Sequence, residues 1–224
     1  MSKKLILFDY DGTIADTQDT IISGIKFSLQ KFNIDIPKTN ILRSYIGRAL
    51  IPVYQEITKS NDEELINKLL KAYRDWYYEN QSSNNLKDSI FPNVFETIEL
   101  LYERGYLMGI ATNKSRAGLI DGLRRHNLMN YFSVIKTVNE CSPKPDPQMG
   151  DMALEEMSVL KEDALMIGDT INDALMAKNC GIRFIGVQWG YNDSKILTEN
   201  DALCIVEDFA DLPKKIESCF NPNG

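Results

Sequence analysis

Histidine is nearly missing from this sequence, and cysteine is sparse and scattered. The single histidine, His126, removes every metal site built on a histidine pair, including the HExxH helix of metalloproteases. It lies in the polar stretch Leu123-Arg124-Arg125-His126-Asn127, which reads as a helix surface and not as the base of a Ser-His-Asp triad. The four cysteines, Cys141, Cys180, Cys204 and Cys219, contain no CxxC pair, which excludes a zinc ribbon and a thioredoxin-like centre. None has an arginine six positions on, which disfavours a cysteine-nucleophile phosphatase. Free, mostly buried thiols in a reducing compartment are the expectation.

Other absences narrow the field further. No glycine loop leads into Gly-Lys-Ser/Thr, so a P-loop nucleotide site is missing. No apolar run approaches the roughly 20 residues that cross a bilayer. Only Leu5 to Phe8 are apolar between Lys4 and Asp9, too few for a signal-peptide core, so a cytoplasmic location is expected. Lysine and arginine number 25 against 32 acidic residues, a net charge of −7 with no basic block. Neither nucleic acid nor an anionic membrane is an expected partner. What is present is ordinary globular material: 224 residues, 43% hydrophobic and 25% charged, enough for one large domain or a core with an insertion.

The opening run Lys4-Leu5-Ile6-Leu7-Phe8 predicts a strand buried on both faces, ending in the polar turn Asp9-Tyr10-Asp11-Gly12-Thr13. Thr17 to Phe32 reads as a helix, with Ile21, Ile25, Leu29 and Phe32 on one stripe. A second helix is expected near Thr39 to Ser44. A third starts at Ser60-Asn61-Asp62-Glu63, which has capping-box form, and carries Leu65, Leu69, Tyr73 and Trp76. Trp76, Tyr77 and Tyr78 read as its core and rim. Asn80 to Asp88 is polar and reads as a linker. The segment from Asp16 to Ser89 therefore looks like an all-helical insertion.

Beyond Pro92 the pattern becomes strand–helix alternation. Strands are expected at Leu107–Ala111, Ser133–Thr137, Ala164–Gly168 and Ile182–Val187, with helices between them, and one more strand near Ala202–Glu207. This order predicts an α/β fold with a Rossmann-like parallel sheet. Ligands of such sheets sit beyond the carboxyl ends of the strands. Those ends carry Asp9 and Asp11, Thr112 and Asn113, Lys144 after a short loop, and Asp169 with Asp173 one helical turn on.

Carboxylates, a hydroxyl and a lysine on one edge suit phosphoryl transfer. Packed carboxylates repel, and a hard divalent cation, usually Mg²⁺, relieves that repulsion. One carboxylate, already ionised at neutral pH, can act as nucleophile. Thr112 and Asn113 can donate hydrogen bonds to phosphoryl oxygens, and Lys144, stiffened by Pro143 and Pro145, supplies positive charge. Asp9 and Asp11 sit two residues apart, so in extended chain both face one reacting centre.

Asp9-Tyr10-Asp11-Gly12-Thr13, Ala111-Thr112-Asn113-Lys114, Lys144-Pro145 and Gly168-Asp169-Thr170-Ile171-Asn172-Asp173 resemble, in order, the four motifs of the haloacid-dehalogenase superfamily of phosphohydrolases. The resemblance implies a Rossmann-like core of residues 1–15 and 90–224, with residues 16–89 as an inserted helical cap. It also implies Mg²⁺ dependence and an aspartyl-phosphate intermediate. By that analogy Asp9 is the nucleophile and Asp11 the general acid/base. Thr112, Asn113 and Lys144 hold the phosphoryl group. Asp9, the backbone carbonyl of Asp11, and Asp169 hold the metal, with Asp173 as a further ligand or a partner of one.

Asp11 makes the chain look like a phosphatase or phosphomutase. Thr112-Asn113-Lys114 and the stretch Gly186 to Tyr191 look most like phosphoglycolate phosphatases, and Gly47-Arg48 falls where such caps carry a specificity loop. A small phosphorylated substrate is expected, phosphoglycolate first. Sugar phosphomutase, pyrophosphatase and nucleotidase activities share the same core, and a phosphoaccepting signalling module is the alternative of another class. Monomer and homodimer both fit.

Overall fold

The computed structural model describes residues 3–83, 85–86 and 88–221. Contacts divide the chain into two compact units, residues 1–16 with 90–224, and residues 17–89.

The first unit opens with β1 (Leu5–Phe8), and the chain leaves it through the short β2 (Ala15–Asp16). The helical unit holds α1 (Gln18–Lys31), α2 (Thr39–Arg43), α3 (Leu50–Thr58) and α4 (Glu63–Ser82). The chain returns through β3 (Ser89–Ile90), which pairs with β2. Then come α5 (Val94–Glu103), β4 (Leu107–Thr112), α6 (Arg116–Arg125), β5 (Val134–Thr137) and α7 (Gln148–Met157). The chain ends with β6 (Ala164–Gly168), α8 (Ile171–Cys180), β7 (Arg183–Val187), α9 (Ser194–Glu199), β8 (Ile205–Val206) and α10 (Leu212–Phe220).

Six strands form a parallel sheet in the order β5-β4-β1-β6-β7-β8. The strands are apolar throughout because helices cover both faces. In β1, Ile6 and Phe8 join one core cluster while Leu5 and Leu7 join the other. In β6, Leu165 and Ile167 alternate with Ala164 and Met166 in the same way. One cluster takes its cover from α5, α6 and α10, the other from α7, α8 and α9. Register sets Phe8 beside Ile110 and Ile167, so the three central strands end within two residues of one another. β1 lies between β4 and β6, where the strand order reverses. Such a switch point leaves a crevice above the strand ends, which is where the polar residues fall.

In the helical unit α1 and α4 pack together, with Ile25, Leu29, Leu69 and Ala72 buried. Gly24 gives way to the rings of Tyr73 and Trp76, since a Cβ there would overlap both. Tyr77 is buried and Tyr78 is exposed. Three local expectations change. The cap of α4 is Asp62, whose carboxylate accepts from the N–H groups of Glu64 and Leu65, while Ser60 accepts from Asp62 instead of forming a capping box. Helix α4 also runs to Ser82, into the stretch read as a linker, because Asn80 and Ser82 bond back to carbonyls of the preceding turn. Positions 84 and 87 of that stretch lie outside the described residues. Helices α3 and α9 were not anticipated. Among the described residues no helix is long and apolar enough to cross a membrane.

Candidate active site

Asp9 follows directly on β1, and its N–H bonds to the Ile167 carbonyl at 2.9 Å, which prolongs the β1–β6 ladder by one step. Its carboxylate is buried at the sheet edge, and the Thr112 hydroxyl at the end of β4 donates to it. Burial is the main reason its pKa rises from 3.8 to about 6. Lys144 opposes that rise, whereas Asp173 and Asp11 add to it.

Lys144 comes from the loop after β5, and its side chain is fully buried. Its Nζ lies 2.5 Å from Asp173 Oδ1, 2.9 Å from the Ala111 carbonyl and 3.0 Å from Asp9 Oδ1. Burial acts to neutralise the ammonium, but the charges of Asp173 and Asp9 outweigh it and hold the pKa above 10.5. Asn113 fixes the loop: its Oδ1 accepts from the Lys144 N–H at 2.8 Å, and its Nδ2 donates to the Lys144 carbonyl at 3.3 Å. The expected phosphoryl donor is thus engaged with the lysine backbone. The Lys144–Pro145 peptide is cis.

Asp169 follows β6 and is wholly buried. Its Oδ1 accepts from the Thr13 hydroxyl and its Oδ2 from the Tyr191 N–H, both at 2.9 Å. Burial, then the charges of Asp173 and Asp9, raise its pKa well above the ordinary value. Asp173 sits at the third position of α8, where its Oδ2 accepts from the N–H (2.9 Å) and hydroxyl (2.7 Å) of Thr170. It therefore closes a capping box while its other oxygen holds Lys144.

Two glycines make room for Asp169. A Cβ at position 190 would overlap the Asp169 Cβ, and one at Gly12 would overlap its Oδ2 and the Tyr191 ring. Gly12 also has φ +88, a conformation that favours glycine. Gly190→Ala is expected to displace the Asp169 carboxylate, lowering stability by about 1–3 kcal/mol, as overpacking does. Turnover should fall with it. Thermal melts and initial rates of the purified variant check both, and a variant with wild-type rates would show that Asp169 tolerates movement.

Asp11 is also mostly buried, with Lys114 Nζ 2.8 Å from its Oδ1 and 5.6 Å from the Tyr10 ring centre. The fold thus brings Asp9, Thr112, Asn113, Lys144, Asp169 and Asp173 together, with Asp11 next to them on the same turn. The expected residues Gly47 and Arg48 belong to the helical unit, where Arg48 pairs with Glu56 at 2.8 Å and its guanidinium lies over Tyr45. Thr13, Lys114, Thr170, Gly190 and Tyr191 carry parts of the site that sequence reasoning left without a role. Three of these five, Thr13, Lys114 and Thr170, fall within the four recognised motifs.

The carboxylates fit a hard cation. Asp9, Asp169 and Asp173 each offer an oxygen within 4.8 Å of the others. Lys144 is the one ammonium bonded within this triad among the described residues. Asp9 Oδ1 accepts no hydrogen bond although it is buried, while Lys144 donates to Asp173 and the Ala111 carbonyl. A buried, unbonded carboxylate oxygen beside two more carboxylates suits a divalent ion with oxygen ligands.

The model of the haloacid dehalogenase-like hydrolases matches residues 6–187. The chain belongs to that family. This hydrolase is 30% identical to "Probable phosphatase IndB" of Dickeya dadantii over 212 residues, covering 94% of the chain and 92% of that protein. It is 31% identical to "Pyrophosphatase PpaX" of Listeria welshimeri over 210 residues, covering 92% and 93%. Among solved structures, "a predicted phosphatase from Clostridium acetobutylicum" superposes with a TM-score of 0.85 at 26% identity, covering 97% of the chain and all of that protein. This haloacid dehalogenase-like hydrolase is thus similar to proteins named as phosphatases.

Proposed function

We propose that this phosphatase hydrolyses a small phosphorylated metabolite with Mg²⁺, phosphoglycolate being the leading candidate, through a phosphoryl group carried on Asp9. The observation that carries the reading is the buried Asp9 carboxylate, with an unbonded oxygen 3.0 Å from the Lys144 ammonium at the end of the central strand. In this reading an Asp9 oxygen attacks phosphorus, the ester P–O bond breaks, and the leaving oxygen takes a proton from Asp11. Asp11 then removes a proton from water, whose oxygen attacks the same phosphorus and releases inorganic phosphate from Asp9. Lys144 and Thr112 orient the phosphoryl oxygens and hold their charge, and Asn113 positions Lys144 through its backbone.

The ion would be held by Asp9, the Asp11 backbone carbonyl and Asp169, with Asp173 tied to Lys144 and Thr170 beside them. When bound it supplies charge that offsets the repulsion between the Asp9 carboxylate and the phosphoryl oxygens. The helical unit is assigned the role of a cap, with Gly47 and Arg48 contributing to substrate choice.

Inorganic pyrophosphate is the second reading, favoured by the name of the Listeria relative. A panel of phosphoglycolate, sugar phosphates, nucleotides and pyrophosphate, assayed with Mg²⁺, separates the two by kcat/KM. The highest value is expected for phosphoglycolate. Preference for pyrophosphate would replace the substrate and keep the chemistry. Phosphate passed to a sugar without release would mark a mutase, and a phosphoprotein stable for many minutes would mark a signalling module. Arg48→Ala should lower kcat/KM on the preferred substrate more than on a small aryl phosphate. An equal loss on both would remove Arg48 from specificity.

A further inference from the structure

Trp189 lies half-buried in the loop between β7 and α9. Its indole N–H donates to the Thr13 carbonyl at 3.0 Å, on the turn that follows β1. Thr13 is fully buried, and its hydroxyl donates to Asp169 Oδ1 at 2.9 Å. Two residues beyond Trp189, the Tyr191 N–H donates to Asp169 Oδ2, also at 2.9 Å. One loop thus reaches both oxygens of Asp169, directly through Tyr191 and by way of Thr13 through Trp189. The loop is itself fixed at both ends. The Gln188 N–H donates to the Val206 carbonyl of β8, and Asn192 Oδ1 accepts from the Ile171 N–H at the start of α8, each at 2.9 Å. The Trp189 ring packs on Phe209 and Phe91, with ring centres 5.5 and 6.2 Å away. All of these residues belong to the first unit.

We propose that Trp189 is a positioning residue for the metal site: its N–H holds the Thr13 turn so that Thr13 and Tyr191 fix Asp169 in the orientation that receives Mg²⁺. The inference rests on the reading, made under the proposed function, that Asp169 is a ligand of the ion. Packing against Phe209 and Phe91 asks only for an apolar ring, which phenylalanine would supply. The indole adds one donor, and that donor meets a carbonyl of a wholly buried residue, where an unmet acceptor is costly. The same residue carries the hydroxyl that orients Asp169, so holding its backbone also holds its side chain.

Gly12, immediately before Thr13, has φ +88 and brings the conformational freedom of glycine to this turn. The bond from Trp189 restrains that freedom on the side facing Asp169. A carboxylate oxygen that accepts one hydrogen bond keeps a second lone pair. The Thr13 and Tyr191 donors therefore set the direction of the Asp169 carboxylate without using up its capacity to ligate. Outer partners of this kind orient ligating carboxylates and raise metal affinity, because the ligand is ordered before the ion binds.

Calorimetric titration of the whole protein with Mg²⁺ at pH 7.5 reads binding without turnover and tests the proposal. Trp189→Phe keeps an aromatic ring and removes the donor, and its affinity for Mg²⁺ should fall about tenfold, the low end of what outer partners contribute. Phe91→Leu thins the packing on the Trp189 ring and removes no side-chain hydrogen bond. Its melting temperature should fall while its affinity for Mg²⁺ stays that of wild type. If Trp189→Phe does not fold, benzothienylalanine at position 189 keeps both fused rings with sulfur in place of the N–H, and the same loss of affinity is expected. Wild-type affinity in the protein that lacks the donor would overturn the proposal, as would an equal loss in Phe91→Leu, the mark of general loosening. Asp169→Asn separates the two levels. If it binds Mg²⁺ as wild type does, the metal assignment falls and the role of Trp189 falls with it. If it loses binding while Trp189→Phe retains it, only the role of Trp189 falls.

Discussion

Asp9→Asn is expected to lower kcat by more than about a thousandfold, the scale seen when a covalent nucleophile is removed. The metal-free protein should meanwhile stay folded. The second half of this expectation follows from the charge balance around Asp9. Burial lifts its carboxyl from 3.8 to about 6, so the folded state binds that proton more tightly than the unfolded chain. The penalty is absent below pH 3.8, grows as pH rises, and is complete above about 6, where it amounts to roughly 3 kcal/mol. Asparagine keeps the shape and carries no charge, so Lys144 retains Asp173 and the Ala111 carbonyl as partners. Melting in EDTA at pH 7.5 should give a transition no lower than wild type. Full turnover by the variant would end the proposal that Asp9 accepts the phosphoryl group, and unfolding would trace its inactivity to lost structure.

Lys144→Met is expected to be the most destabilising substitution in the molecule. It leaves the carboxylates of Asp9, Asp169 and Asp173 packed without their ammonium, and breaking a buried pair in this way costs about 3–5 kcal/mol. The loss should be largest at neutral pH. As pH falls toward the raised pKa of Asp9, protonation relieves the repulsion and the difference from wild type should shrink. Denaturant titrations of both proteins at pH 5 and pH 7.5 measure this, and a deficit independent of pH would mean that lost packing, not charge, dominates.

On the proposed reading, the same balance would govern Mg²⁺ binding in the wild type. Asp9 and Asp169 both hold protons above the ordinary carboxylate range, so Mg²⁺ must displace protons to bind. Stabilisation of the melt by Mg²⁺ should therefore increase from pH 5 to pH 7.5. A stabilisation that is flat across this range would place the ion away from these carboxylates.

Much of the site was legible because strands and helices have local periods. The run before Asp9 is apolar at every position, as a strand covered on both faces must be, and the polar residues that follow such runs fall at one edge of a parallel sheet. The capping of α4 was less legible. Ser60 and Asp62 are both good caps, and only the backbone path selects Asp62. The extension of α4 to Ser82 was missed for a similar reason: polar side chains that signal a linker can also bond back to the preceding helical turn.

Sequence alone determined the α/β class, the order of the strand ends and the identity of the clustered carboxylates, hydroxyl and lysine, because residue period and chain order suffice for these. Tertiary structure alone decided that Asn113 grips the Lys144 backbone, that Thr13 and Tyr191 hold Asp169, and that Lys114 pairs with Asp11. Each of these contacts joins side chains or backbone groups that a one-dimensional pattern cannot bring together. Their partners are fixed only when burial removes water and every remaining polar atom must find another.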